Sequence, residues 1–210
     1  MGGAPSHILG ESLIQGGADV VNNPDWFKKK EVTHVVSICD MSPRHELKGK
    51  IHLDVDDVMT TDLFQYFEQT TNFIHKARSE GGRVYVHCAA GISRSSTITL
   101  AYMMTWLEMD FETAYKELAL ARNGVSPNAG FREQLYKWER SELLHKLREA
   151  FRAERAASEQ LKKLHELDLA CLQQRKDEMK RSMEQRSNGF RQEEEEDDDE
   201  EEEEEEDQAN

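Results

Sequence analysis

Arg83-Val84-Tyr85-Val86-His87-Cys88-Ala89-Ala90-Gly91-Ile92-Ser93-Arg94-Ser95 decides how this chain reads. The first four residues are β-branched, aromatic or long, as in a buried strand, and the run from Ser93 to Thr105 is apolar enough for a buried helix. The loop between them therefore joins a strand to a helix. In that setting the backbone N–H groups of residues 89–94 can turn inward together, and the unpaired donors and positive dipole end of the helix add to them. Such a nest suits a phosphate dianion. Cys88 lies at its base, where the same positive field favours thiolate over thiol. Arg94 can close over the nest and hold two oxygens with its planar fork, a geometry lysine lacks. Gly91 fits the tightest bend because it carries no Cβ. The combination is suited to attack on a phosphate ester. A pattern fixing His, Cys, Gly, Arg and two hydroxyl positions arises by chance in a chain of this length on the order of once in 10^5 sequences or fewer.

The leaving alkoxide or phenoxide of such a reaction needs a proton from a positioned acid. Asp54, Asp56 and Asp57 are available. Ile51-His52-Leu53-Asp54-Val55 alternates like a half-buried strand, which places Asp54 on the strand and Asp56-Asp57 on the loop beyond it. The residues alone leave Asp56 and Asp57 both open, and also allow Asp57 simply to cap the turn. Asn128, in Ser126-Pro127-Asn128-Ala129-Gly130-Phe131, reads as the N-cap of a helix. Ser93 and Ser95 can each hydrogen-bond at a helix start.

The stretch from His87 to Ser95 resembles the signature of the cysteine-dependent protein tyrosine phosphatase superfamily: a histidine and cysteine, five residues, an arginine and then a hydroxyl residue. It is most similar to the small, atypical dual-specificity phosphatases, over roughly residues 7–140. The resemblance implies an α/β fold with a central mixed sheet of about five strands flanked by helices. It implies Cys88 as nucleophile, Arg94 and the loop Ala89, Ala90, Gly91, Ile92 and Ser93 as the phosphate site, and Ser95 as an aid to thiolate departure. His87 would support the cysteine loop, and Asn128 would buttress it within a Pro-Asn-x-Gly-Phe element. The family's acid stands about ten residues before an aromatic pair, and Asp57 is ten before Phe67 of Tyr66-Phe67; this favours Asp57 over Asp56. No metal and no other cofactor is expected. The substrates implied are proteins phosphorylated on tyrosine, serine or threonine, reached through a shallow pocket. The absence of charge on Ala89, Ala90 and Ile92 disfavours phosphoinositides and RNA triphosphates. The short stretch before residue 7 leaves no room for a kinase-docking domain. A phosphoprotein-binding scaffold, or a phosphatase of lipids, glycans or nucleotides, is the alternative.

The net charge of -15 is local, because residues 193–207 are fifteen consecutive acids and the other 27 of the 42 acids balance the 27 Lys and Arg. Residues 188–210 are therefore expected to be a disordered acidic tail, with basic partners as its sharper reading. Nucleic acid is not an expected partner. From Ser141 to Arg186 the absence of Pro and Gly favours one long helix, an extension over 141–187 that is either solvated or binds partners through a broken leucine stripe. Residues 1–6 form a flexible start, and Met1-Gly2-Gly3-Ala4-Pro5-Ser6 fits the myristoylation pattern at Gly2, which would confer weak, reversible membrane association. The odd count of three cysteines, Cys39, Cys88 and Cys171, argues for a reducing compartment, and the expected location is the cytoplasm, with the nucleus or a membrane surface as further options. Strands are predicted near 7–9, 12–15, 32–38, 51–55 and 83–87, and helices near 24–30, 62–79, 93–107, 110–121 and from 129 onward.

Overall fold

The computed structural model describes residues 4–185 with their side chains. The expectations for Gly2 and for a disordered tail over 188–210 fall outside that range. The chain forms two compact units, residues 1–171 and 172–210.

Five strands make one mixed sheet in the order β1-β2-β5-β3-β4. They are β1 Ser6–Leu9, β2 Leu13–Gly16, β3 His34–Ser37, β4 Gly49–His52 and β5 Val84–His87. β1 and β2 are an antiparallel hairpin, whereas β2, β5, β3 and β4 run parallel. Their carboxyl ends therefore emerge along one edge, where open α/β sheets bind ligands. β5 is buried along its whole length, as a strand covered on both faces must be, which explains its unbroken Val-Tyr-Val run.

Alternation along the strands divides the core into two layers. Ile14, Val35 and Tyr85, which pair across β2, β3 and β5, face helix α1 (Pro24–Lys29) in a cluster with Phe27 and Val21. On the other face lies α3 (Arg94–Trp106), in which every residue from Ser95 to Trp106 is buried. It is wrapped by α2 (Phe67–Ser79), α4 (Phe111–Ala121), α5 (Ala129–Glu139) and α6 (Glu142–Ala157). A helix so enclosed has no polar stripe to show, hence its lack of amphipathic pattern. Several helix starts are fixed by side chains the sequence supplies. Asn23 accepts from Trp26 N at 3.0 Å, Asp110 from Thr113 N at 2.6 Å and Ser141 from Leu144 N at 3.1 Å.

Two readings change. β4 ends at His52, so Asp54 lies beyond the strand and is exposed; the alternation after residue 52 belongs to a loop that runs along the surface. The helix expected over 141–186 is broken at Ser158, which ends α6 with an extended backbone and whose hydroxyl accepts from Leu161 N at 3.3 Å to start α7 (Glu159–Gln208). The residues through 171 pack within the same unit as the sheet. Leu144, Leu147, Phe151 and Leu161 are buried, and the Phe151 ring stacks on His75 at 3.7 Å.

A buried ion pair secures this packing. Arg78 on α2 donates from Nη2 to both carboxylate oxygens of Asp168 at 2.7 and 2.8 Å, and Trp106 Nε1 donates to Asp168 at 2.7 Å. Tyr102 and Ser12 take further guanidinium protons. Removing one partner of such a pair strands a charge in the interior. Asp168→Ala is expected to cost about 3 to 5 kcal/mol of stability, read as a fall in the urea midpoint. A change under about 1 kcal/mol would mean that the α7 start is not integral to the fold.

Candidate active site

Gly91 sets the shape of the loop between β5 and α3. Its φ is +72°, and a Cβ there would lie 2.4 Å from the Gly16 carbonyl carbon, so no other residue fits without displacing β2. With the chain turned in this way, Gly91 N donates to Cys88 Sγ at 3.2 Å, and the Ser95 hydroxyl lies 3.3 Å from the same sulfur. Burial pushes the Cys88 thiol up, but the hydroxyl and backbone N–H of Ser95 and the backbone N–H groups of Ile92 and Gly91 outweigh it and hold the thiol below its ordinary value. These donors favour the thiolate over the thiol.

Ser93 occupies the N-cap position of α3 without capping it. Its hydroxyl instead donates to Asp57 Oδ1 at 2.7 Å and accepts from Asn128 N at 3.2 Å. The first N–H groups of α3 therefore remain without a side-chain cap, at the place where an anion would take them. Asn128 serves as both cap and buttress. Its Oδ1 accepts from Phe131 N at 3.0 Å to start α5, while its Nδ2 donates to Asp57 Oδ1 at 2.9 Å.

Of the carboxylates open in the sequence, Asp57 is the one bonded to the loop. Besides Ser93 and Asn128, its Oδ2 lies 3.6 Å from Arg94 Nε. Asp56 is exposed. Arg94 donates from Nη1 to Val55 O at 2.8 Å, which anchors the guanidinium against the loop that carries Asp57, while its buried Nε has no hydrogen-bond partner. A guanidinium N–H without a hydrogen-bond partner is a ready donor for an oxyanion.

His87 sits behind the sulfur, sharing a 2.7 Å hydrogen bond with Ser37 Oγ and stacked on Tyr85. Burial holds its pKa down to about 4, so it is neutral near pH 7 and cross-links β5 to β3 without carrying a proton for the reaction.

Two residues of the site were invisible in the sequence. Arg122, buried at the end of α4, donates from Nε to Gly91 O at 2.9 Å, and Gln15 on β2 donates to the same oxygen at 3.2 Å. The Gly91 carbonyl and the Ile92 N–H are opposite ends of one trans peptide. Holding the oxygen outward turns the N–H toward Cys88, so both residues position the loop without touching the reacting group. Arg122 also donates to Ala4 O at 2.7 Å and to Ser6 Oγ at 3.2 Å, which ties the N-terminal segment to the loop. The only sequence signal was a lone arginine after an apolar helix, which carries no indication of its distant acceptor. Arg122→Met is expected to raise the pH midpoint of Cys88 alkylation by iodoacetamide by about one unit, the equivalent of one hydrogen bond's worth of thiolate stabilisation. An unmoved midpoint would leave Arg122 a structural residue only.

The geometry joins a thiol held below its ordinary value, a glycine-turned loop with N–H donors, a guanidinium and a carboxylate at the carboxyl end of β5. The family model described as dual specificity phosphatase, catalytic domain, matches residues 13–141. The chain belongs to the dual specificity phosphatase family. It is 33% identical over 156 residues to dual specificity protein phosphatase 22 of Mus musculus, covering 73% of this chain and 83% of that one. It is 34% identical over 134 residues to MAP kinase phosphatase with leucine-rich repeats protein 1 of Dictyostelium discoideum, covering 63% of this chain and 16% of that protein. This chain thus spans less than a fifth of the slime-mould relative's length. The crystal structure of DUSP15 superposes with a TM-score of 0.65 at 29% identity, covering 71% of this chain and 95% of that chain. The expected α/β fold with a mixed five-stranded sheet is the one this dual-specificity phosphatase domain adopts.

Proposed function

We propose that this chain is a protein phosphatase that hydrolyses phosphotyrosine and phosphoserine or phosphothreonine through a cysteinyl-phosphate intermediate. The observation that carries the reading is the convergence on Cys88 Sγ of Gly91 N at 3.2 Å and Ser95 Oγ at 3.3 Å, with Asp57 linked to the same loop through Ser93 at 2.7 Å.

In the first step the Cys88 thiolate attacks phosphorus in line with the ester oxygen. The loop amides of residues 89–94 and the Arg94 guanidinium hold the equatorial oxygens as charge spreads over them. The P–O bond breaks, and Asp57 gives its proton to the departing oxygen. In the second step water attacks the thiophosphate and passes a proton to the Asp57 carboxylate. The S–P bond breaks with its electrons returning to sulfur, and the Ser95 hydroxyl donates to the leaving thiolate. His87 and Asn128 hold the parts in register, and the substrates are phosphorylated proteins.

The test is phosphate release from phosphotyrosyl and phosphothreonyl peptides, phosphoinositides and a small aryl phosphate, compared with Cys88→Ser protein. Cysteine-dependent release from both peptide types is expected. Release from lipid alone, or peptide binding without release, would replace this reading with one of its rivals.

A further inference from the structure

β5, β3 and β4 are adjacent and parallel, so the segments leaving their carboxyl ends lie side by side. Each of these three segments holds a large apolar side chain in solvent. Ile92 in the phosphate loop is 39% exposed, Met41 after β3 is 38%, and Val58 and Met59 after β4 are 49% and 66%. The other large exposed apolar side chains among the described residues, Tyr136, Leu167, Leu169, Met179 and Met183, are on α5 and α7. Within the sheet and its loops, large apolar exposure is therefore concentrated at the mouth of the cleft.

The segments are tied together rather than loose. His52 Nε2 and Cys39 O are 2.8 Å apart, Asp57 bonds Ser93 at 2.7 Å, and Ile92 O accepts from Ser126 N at 3.0 Å. Met59 is pinned through its backbone, since a Cβ on Gly130 would fall 2.0 Å from Met59 O. Apolar side chains exposed together on neighbouring loops of this kind suit a binding surface, and methionine side chains adapt to varied partners. Carboxylates stand beside it: Asp19, Asp40, Asp54 and Asp56 are exposed near the same strand ends. The cations bonded to the neighbouring loops, Lys50 and Arg132, are engaged by the carbonyls of Pro43, His45 and Pro127. Arg94 is taken by the reacting phosphate.

We propose that Met41, Val58, Met59 and Ile92 form a docking rim for the residues that flank a single phosphorylated side chain, selecting apolar neighbours and rejecting acidic neighbours or a second phosphate. The rim deepens the phosphatase reading and rests on it for the identity of the occupant. Its continuity with the cleft makes a phosphopeptide the occupant, and the carboxylates repel further negative charge on that peptide.

The experiment compares three peptides with one phosphoresidue context varied: leucines on both sides, aspartates on both sides, or a second phosphoresidue two positions away. Each is assayed with wild type and with the Val58→Ser/Met59→Ser double variant. The readout is the ratio of kcat/KM values between peptides, so a general loss of activity in the variant cancels. Wild type is expected to favour the leucine peptide by about 10-fold or more, and the variant to reduce that ratio to about 3-fold or less. Binding of the same peptides to Cys88→Ser protein, by fluorescence anisotropy, ranks docking without turnover. Loss of turnover on every substrate would count against the phosphatase reading, while the binding order would still decide the rim. Equal ratios in wild type, a preference for the acidic or doubly phosphorylated peptide, or an unchanged ratio in the variant overturns the proposal. So does a double variant that abolishes self-association in sedimentation while leaving the peptide order intact, because the rim would then face a second copy.

Discussion

Cys88→Ser is expected to lower phosphate release by roughly 10^4-fold or more while phosphopeptide binding persists. The donors around the sulfur, Ser95 Oγ and the N–H groups of Gly91, Ile92 and Ser95, stabilise a thiolate against the cost of burial. An alcohol starts so much less acidic than a thiol that the same donors cannot ionise it near neutral pH. The nest and Arg94 are unaffected by the exchange, so the anion still binds. Phosphate release gives the loss, anisotropy gives the retained affinity, and intact mass of acid-quenched wild type gives the cysteinyl phosphate. Turnover within 10-fold of wild type would remove Cys88 from the reaction.

Asp57→Asn is expected to reduce kcat/KM on phosphoserine and phosphothreonine peptides by roughly 10^2 to 10^4. That is about 3 to 5 kcal/mol of transition-state stabilisation. The amide keeps the size and an oxygen to accept from Ser93 and Asn128 but has no acidic proton to give. The loss should shrink on an aryl phosphate whose leaving group needs little protonation. The wild-type pH profile of kcat/KM should be bell-shaped, because Cys88 must be deprotonated and Asp57 protonated at the outset. The Cys88 thiol is held below its ordinary value by these donors, so the rising limb should lie below that of a free thiol, activity growing as the thiolate forms. In Asp57→Asn the falling limb should disappear. Asp56→Asn should stay within about 3-fold of wild type, as a solvated carboxylate outside the cleft does. An equal loss in Asp56→Asn with none in Asp57→Asn would move the acid by one residue.

Cys88, Gly91 and Arg94 are neighbours along the chain, so the chemistry proposed for them is legible as one local pattern. The strands and most helices were legible for a related reason: alternation and caps act within a few residues. Asp54 falls outside the strand because alternation continues past His52 into a loop, and only the pairing of β4 with β3, which stops at His52 opposite Ser37, marks the strand's end.

What the sequence determined by itself was the β5-loop-α3 machinery of Cys88, Gly91 and Arg94, with the α/β class around it. Tertiary structure alone decided that Asp57 rather than Asp56 bonds the loop, that Ser93 serves the carboxylate instead of its own helix, and that Arg122 and Gln15 hold the Gly91 carbonyl. It also decided that the chain from α6 through residue 171 packs in the same unit as the sheet, where Asp168 meets Arg78. Each of these depends on partners 31 to 90 residues apart. Periodicity tells a side chain which way to face; only the folded chain supplies what it meets there.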